Sequence, residues 1–264
     1  MGRKEAAVVW VLLSLMAIAG LSGYARVESA SLFAKQSSID AQKALAAANQ
    51  QIHKDRTKPV DLIEMARHYL YTQVRVETAA EAVGSGTLIG GDVVLTAAHV
   101  VRACEDNDIF VSVFSEDGKV TKLPAHVMAI SNEDERDLAV LAVKTDSKLP
   151  HVKIMSKEAA ARIPVLSPVY AVGFPTGTGP YLTRGDLVNK REPHGMFQDC
   201  WFVSSPVIFG NSGGGLFDPA TGELIGVPVA IRMFGGMTPV THMGVVIPGH
   251  HIVEWLEEIK VKLD

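Results

Sequence analysis

The stretch Phe209-Gly210-Asn211-Ser212-Gly213-Gly214-Gly215 restricts this chain more than any other. A single serine stands among glycines, and the apolar Leu216 and Phe217 follow. Glycine disfavours the interior of helices and strands but tolerates positive φ, so the run suits a tight turn approached closely by another group. It also lets neighbouring backbone N–H groups converge on one point, as stabilisation of an oxyanion requires. An ordinary glycine turn has the same composition, so the reading rests on what else the chain carries.

A nucleophilic serine needs a base, and the base needs an acid to orient it. Upstream, the β-rich run Val93-Val94-Leu95-Thr96 leads through Ala97 and Ala98 to His99. Between the two motifs, Asp137 directly precedes the apolar run Leu138 to Val143. That placement puts its carboxylate at the edge of a core, partly dry, whereas Glu133, Asp134 and Glu135 read as solvated acids. Taken singly, His99 reads equally well as a core histidine, Asp137 as a strand cap and Ser212 as a turn residue. Together they fall in the order His99, Asp137, Ser212, one of three orders known among unrelated serine hydrolases.

These segments resemble the trypsin-like serine proteases, and in detail the HtrA branch. The likeness extends to Gly84-Ser85-Gly86-Thr87-Leu88-Ile89, to Ala171-Val172-Gly173-Phe174-Pro175 followed by Thr183-Arg184-Gly185-Asp186, to Gly222-Glu223-Leu224-Ile225-Gly226-Val227, and to Met243-Gly244-Val245-Val246-Ile247-Pro248. It spans roughly residues 65–260. The resemblance implies an all-β fold of two six-stranded antiparallel barrels with the active site in the cleft between them. His99 and Asp137 would come from the first barrel and Ser212 from the second, with Ala159-Ala160-Ala161 in the crossover.

The implied chemistry is acyl transfer on protein or peptide substrates by a Ser212–His99–Asp137 triad, with the N–H groups of Gly210 and Ser212 as oxyanion donors and no cofactor or metal. The primary pocket would be walled by Val207 and Ile208 beside Pro206, and by Val229 and Ala230 beside Val227 and Pro228. None is charged, which implies a small aliphatic side chain at the cleaved bond rather than Arg or Lys, which would require a buried carboxylate. Glutamate-specific relatives carry a histidine on the strand after the serine; His242 comes later and reads as a loop residue. Asn211 stands where many digestive relatives have an aspartate that pairs with a freshly cut N-terminus, so activity is expected without such a cut. HtrA proteins usually carry a PDZ domain after the protease, and none fits the short tail beyond Pro248. A catalytically silent, protease-like binding or scaffold protein of the cell envelope is the competing expectation.

Composition narrows the classes. The net charge is −4 with a pI near 6.1, and no basic stripe or aromatic platform favours nucleic acid. Two cysteines, Cys104 and Cys200, are too few for a disulfide-stapled domain, and free thiols are favoured over a bridge. Arg3 and Lys4 precede an apolar stretch from Ala6 to Leu21 and the mostly small residues Ser22 to Ala25. This reads as a signal peptide over residues 1–25. It is also nearly long enough to span a bilayer, so an uncleaved membrane anchor stays open. Either reading places the rest outside the cytoplasm, periplasmic, secreted or anchored; a homo-oligomer also stays open.

Residues 26–64 read as a helical extension rich in Ala, Gln and Lys, interrupted at Lys58-Pro59 and closed by a short helix from Asp61 to His68. From Tyr69 the chain turns β-favouring, with Tyr71, Val74, Val76 and Thr78 opening a strand. Turn signals recur at Gly90-Gly91-Asp92, Glu116-Asp117-Gly118, Thr176 to Pro180, and Asp218 to Gly222. The protease domain is expected over 65–264, its barrels at about 65–155 and 165–248, followed by a helix from His250 to Leu263 with Ile252, Trp255, Leu256 and Ile259 on one face. His250, His251 and Glu254 on that helix lack an evident third zinc ligand. Lys190-Arg191 reads as a solvated loop.

Overall fold

The computed structural model describes residues 61–263 apart from 105–107, 133–135, 195–196 and 262, together with residues 35–40, 42–43 and 46–47. The last group is helical and exposed; the rest of the expected extension before residue 61 lies outside the described residues. The leader-or-anchor stretch and the acids Glu133, Asp134 and Glu135 lie outside the described residues. Among the described residues no helix is long and apolar enough to cross a membrane. The chain divides into two units, 1–58 and 59–264, and the second carries the site.

That unit begins with helix α1 (Leu62–Tyr71). Asp61 caps it, its carboxylate accepting the N–H groups of Ile63 at 3.0 Å and Glu64 at 3.1 Å. The helix runs three residues past the expected His68 and includes Tyr71, which had read as the start of a strand. Burial decides this: helical spacing carries Tyr69 into the core, fully buried and stacked on Phe217 with ring centres 4.1 Å apart.

Two closed barrels follow. The first contains β1 (Gln73–Thr78), β2 (Val83–Leu88), β3 (Val93–Thr96), β4 (Ile109–Phe114), β5 (Val120–Ile130) and β6 (Ala139–Val143), in the order β1-β2-β3-β6-β5-β4. The second contains β7 (Pro168–Gly173), β8 (Tyr181–His194), β9 (Phe197–Val203), β10 (Gly215–Phe217), β11 (Leu224–Phe234) and β12 (Thr238–Pro248), in the equivalent order β7-β8-β9-β12-β11-β10. All pairings between these strands are antiparallel, and closure leaves neither barrel with a free edge. The four expected turn signals fall at the β2–β3, β4–β5, β7–β8 and β10–β11 connections. Helix α2 (Ala98–Val101) follows β3, and α3 (Lys157–Arg162) lies in the crossover between the barrels. Helix α4 (Gly249–Glu258) closes the fold with Ile252, Trp255 and Leu256 buried, and it stops short of the expected Leu263.

Two loop readings of the sequence change. His242 lies in β12, not in a loop, because the β11–β12 pairing continues out to Phe234 and Thr238. Lys190 and Arg191 lie in β8, and the Lys190 ammonium donates to the carbonyls of Ala161 and Ile163, both at 2.9 Å. It thereby satisfies acceptors that the end of α3 leaves open. Glu254 bonds His251 at 3.2 Å and Lys157 at 2.7 Å, so a lysine occupies the carboxylate that a metal would need. Cys104 and Cys200 are free thiols, and burial pushes the Cys200 thiol up to about 12, with Asp199 adding to the shift.

Candidate active site

The chain reaches His99 through a strand with no exposed face. All four residues of β3 are buried, and Ala97 and Ala98 are both fully buried. Small side chains there let α2 start against the barrel wall and present His99, its side chain 48% exposed, at the rim. Asp137 arrives from the lead-in to β6, its side chain only 9% exposed.

Both Asp137 carboxylate oxygens engage the same residue. Oδ2 lies 2.5 Å from His99 Nδ1, and Oδ1 accepts the His99 backbone N–H at 2.8 Å. The Asp137 carbonyl also accepts the N–H of Ala98 at 3.2 Å. The imidazole is thus held at Nδ1, which leaves Nε2 as the free ring nitrogen.

Ser212 sits in a loop that is folded on itself. The Asn211 N–H donates to the Ile208 carbonyl at 3.0 Å, and the Ile208 N–H donates to the Asn211 side-chain Oδ1 at 3.1 Å. Gly213 N–H donates to Pro228 O at 2.9 Å, tying the loop to β11. Gly210 has φ 96°, and a Cβ there would lie 2.4 Å from the Phe174 carbonyl, so only glycine fits. Among the described residues, the N–H groups of Gly210 and Ser212 donate to nothing.

His99 and Ser212 line one cleft of about 420 Å³. No hydrogen bond joins their side chains in this conformation, as is common before a substrate tightens a site. The four pocket residues read from the sequence, Val207, Ile208, Val229 and Ala230, line the same cleft. So do Phe209, 62% exposed, and Met233, neither of which the sequence marked as a pocket residue. No Asp, Glu, Lys or Arg lines it. The cleft therefore presents a hydroxyl, an imidazole backed by a carboxylate and apolar walls.

Known proteins resemble this chain in sequence and in fold. The trypsin-like peptidase domain matches residues 84–227, which include His99, Asp137 and Ser212. The chain is 30% identical over 162 residues to the periplasmic pH-dependent serine endoprotease DegQ of Escherichia coli (strain K12), covering 59% of this chain and 33% of DegQ. It is 28% identical over 197 residues to the putative protease Do-like 3, mitochondrial, of Arabidopsis thaliana, covering 72% of this chain and 32% of that protein. It thus spans about a third of the length of these curated relatives. Among solved structures, the HtrA-type protease AlgW with tripeptide superposes with TM-score 0.61 at 26% identity, covering 74% of this chain and 63% of that one. A variant of AlgW with tripeptide gives TM-score 0.63 at 24% identity, over 76% and 64% of the two chains. The two closed barrels and the family match lead to one conclusion: the chain belongs to the trypsin-like peptidase family and resembles its HtrA-type members.

Proposed function

We propose that the protein is a serine endopeptidase that cleaves protein chains outside the cytoplasm through Ser212, His99 and Asp137. The observation that carries this reading is the double grip of Asp137 on His99 beside Ser212 in an uncharged cleft. His99 Nε2 takes the proton as Ser212 Oγ attacks the peptide carbonyl, forming the C–O bond of a tetrahedral intermediate. The Gly210 and Ser212 N–H groups, unpaired among the described residues, bind the oxyanion. The imidazolium, stabilised by Asp137, then protonates the leaving amine as the C–N bond breaks. Water reverses the sequence on the acyl-enzyme and releases the acid.

The apolar walls Val207, Ile208, Val229 and Ala230 favour a small aliphatic residue before the cleaved bond. Asn211 closes its own loop through Oδ1, which supports activity without a new N-terminal ammonium. Action outside the cytoplasm rests on the N-terminal sequence and on the periplasmic relative.

The test is hydrolysis of an unfolded protein and of a peptide library by the wild type and Ser212→Ala. We expect cleavage after Val, Ala and similar residues, and a loss of activity of about 10⁴-fold or more in the variant. Undiminished hydrolysis by Ser212→Ala rejects the mechanism. A dominant preference for Arg, Lys or Glu rejects the pocket assignment alone. Activity that appears only after a cut beside Tyr69 rejects the role given to Asn211.

A further inference from the structure

We propose that Arg75, Ser85 and Thr176 are positioning residues through which the first barrel fixes the two peptide planes that flank Gly210, one of the two oxyanion donors. The inference rests on the peptidase reading above. A peptide unit is planar, so whatever holds its carbonyl also aims its N–H in the opposite direction. The Gly210 N–H shares a plane with the Phe209 carbonyl, and that carbonyl accepts the Thr176 N–H at 2.7 Å. The Gly210 carbonyl, in the next plane, accepts the Ser85 hydroxyl at 2.6 Å. Both torsions of Gly210 are therefore set from outside its own loop. A half-turn of the first plane would replace the proposed donor with an acceptor.

Thr176 holds this position against its own preference. Its φ of 54° and ψ of 23° are left-handed, unfavourable for a β-branched residue unless its surroundings impose them. Those surroundings come largely from the first barrel. The Arg75 guanidinium on β1 donates to the Gly177 carbonyl at 3.2 Å and pairs with Glu77 at 3.3 Å. Ser85 on β2 accepts the Phe174 N–H at 2.8 Å through the same hydroxyl that grips Gly210, and its backbone N–H donates to the Ser212 carbonyl at 2.8 Å. The rings of Phe174 and Phe114 meet at 5.0 Å. The turn from Phe174 to Gly177 is thus pinned to the first barrel at both ends, and Thr176 in its middle carries that position to the oxyanion donor. Hydrogen bonds that span 102 residues (Arg75 to Gly177) and 125 residues (Ser85 to Gly210) give the nucleophile loop a shape it does not hold alone.

The test uses the full chain as Arg75→Ala, Ser85→Ala and Arg75→Lys. It compares kcat, KM, inhibition by a peptide boronate, whose tetrahedral adduct places an oxygen in the hole, and binding of an uncleavable product peptide. We expect Arg75→Ala and Ser85→Ala to lower kcat and weaken boronate inhibition together by about 10- to 100-fold, a part of what loss of a whole donor does. KM and product-peptide binding should stay within about twofold of wild type, and Arg75→Lys should recover part of kcat. A merely structural role predicts that kcat, peptide binding and melting temperature fall together while KM rises, and that result overturns the proposal. So does unchanged kcat and boronate inhibition in Arg75→Ala, the less buried site that stays informative if Ser85→Ala does not fold. If the wild type reacts with no serine-directed phosphonate, the peptidase reading itself fails; normal wild-type activity matched by both variants sinks this inference alone.

Discussion

The two barrels share one strand order but equip the cleft by different means. The first contributes side chains that satisfy each other: both oxygens of Asp137 are committed to His99, and the acid is nearly dry. The second contributes a backbone shape: a left-handed Gly210, a loop closed by Asn211 and two N–H groups that donate to nothing among the described residues. A side-chain pair needs only its two partners and a rigid wall behind them. A backbone loop with unpaired donors must be held by contacts elsewhere, since an unmet donor otherwise finds another partner. The base side should therefore fail through changes of chemistry, and the nucleophile side through changes of shape.

Asp137→Asn breaks the comparison most sharply. The amide keeps the size but not the acceptor pattern, so the imidazole takes the wrong tautomer, and kcat should fall by about 10⁴-fold with the fold intact. Near-normal kcat would show that the first barrel does not act through this pair. On the other side, Gly210→Ala changes no functional group, yet its methyl meets the Phe174 carbonyl at 2.4 Å and the Thr176 nitrogen at 2.7 Å. We expect kcat to fall by about 10²- to 10³-fold, as when one oxyanion donor is lost. Wild-type turnover in this variant would remove backbone shape from the account.

A smaller effect is expected at the pocket wall. Val229→Ala should favour Leu or Phe over Val at the cleaved position by about 10-fold in kcat/KM. An unchanged ranking on a peptide series would mean that Val229 does not bound the pocket.

The smallest effect concerns stability and α4, behind the second barrel. Burial holds His250 down at about 4, with His251 adding to the shift, so folding favours its neutral form. That contribution is complete above the ordinary histidine value of 6.5 and is lost as pH falls from there toward about 4. Glu254, hydrogen-bonded by Lys157, is held down near 2, and its contribution is present above 4.5 and lost below. Melting temperature should decline from pH 6.5 to 4, and His250→Leu should flatten part of that slope, because His68 on α1 is also held down by burial. An identical slope in His250→Leu would show that the acid sensitivity arises elsewhere.

What is local was legible. His99, Asp137 and Ser212 each sit in a short context that the proposed mechanism would demand, and Gly- and Asp-rich turns mark the hairpins. Tyr71 misled because burial of Tyr69 extended a helix through β-favouring residues. His242 and Lys190 misled because β8 and β12 run 14 and 11 residues, with polar side chains on their outer faces. The grip on Gly210 was not legible at all. Ser85 was noticed only as part of a family motif, Arg75 lies 102 residues from its turn, and nothing in its neighbours announces that Thr176 is left-handed.

The most direct measurement is the intact mass of the protein after exposure to a serine-directed phosphonate. We predict one adduct on the wild type, mapped to Ser212, absent in Ser212→Ala and greatly slowed in His99→Ala and Asp137→Asn. An adduct that persists in Ser212→Ala, or a rate indifferent to His99 and Asp137, would contradict a serine activated across the two barrels.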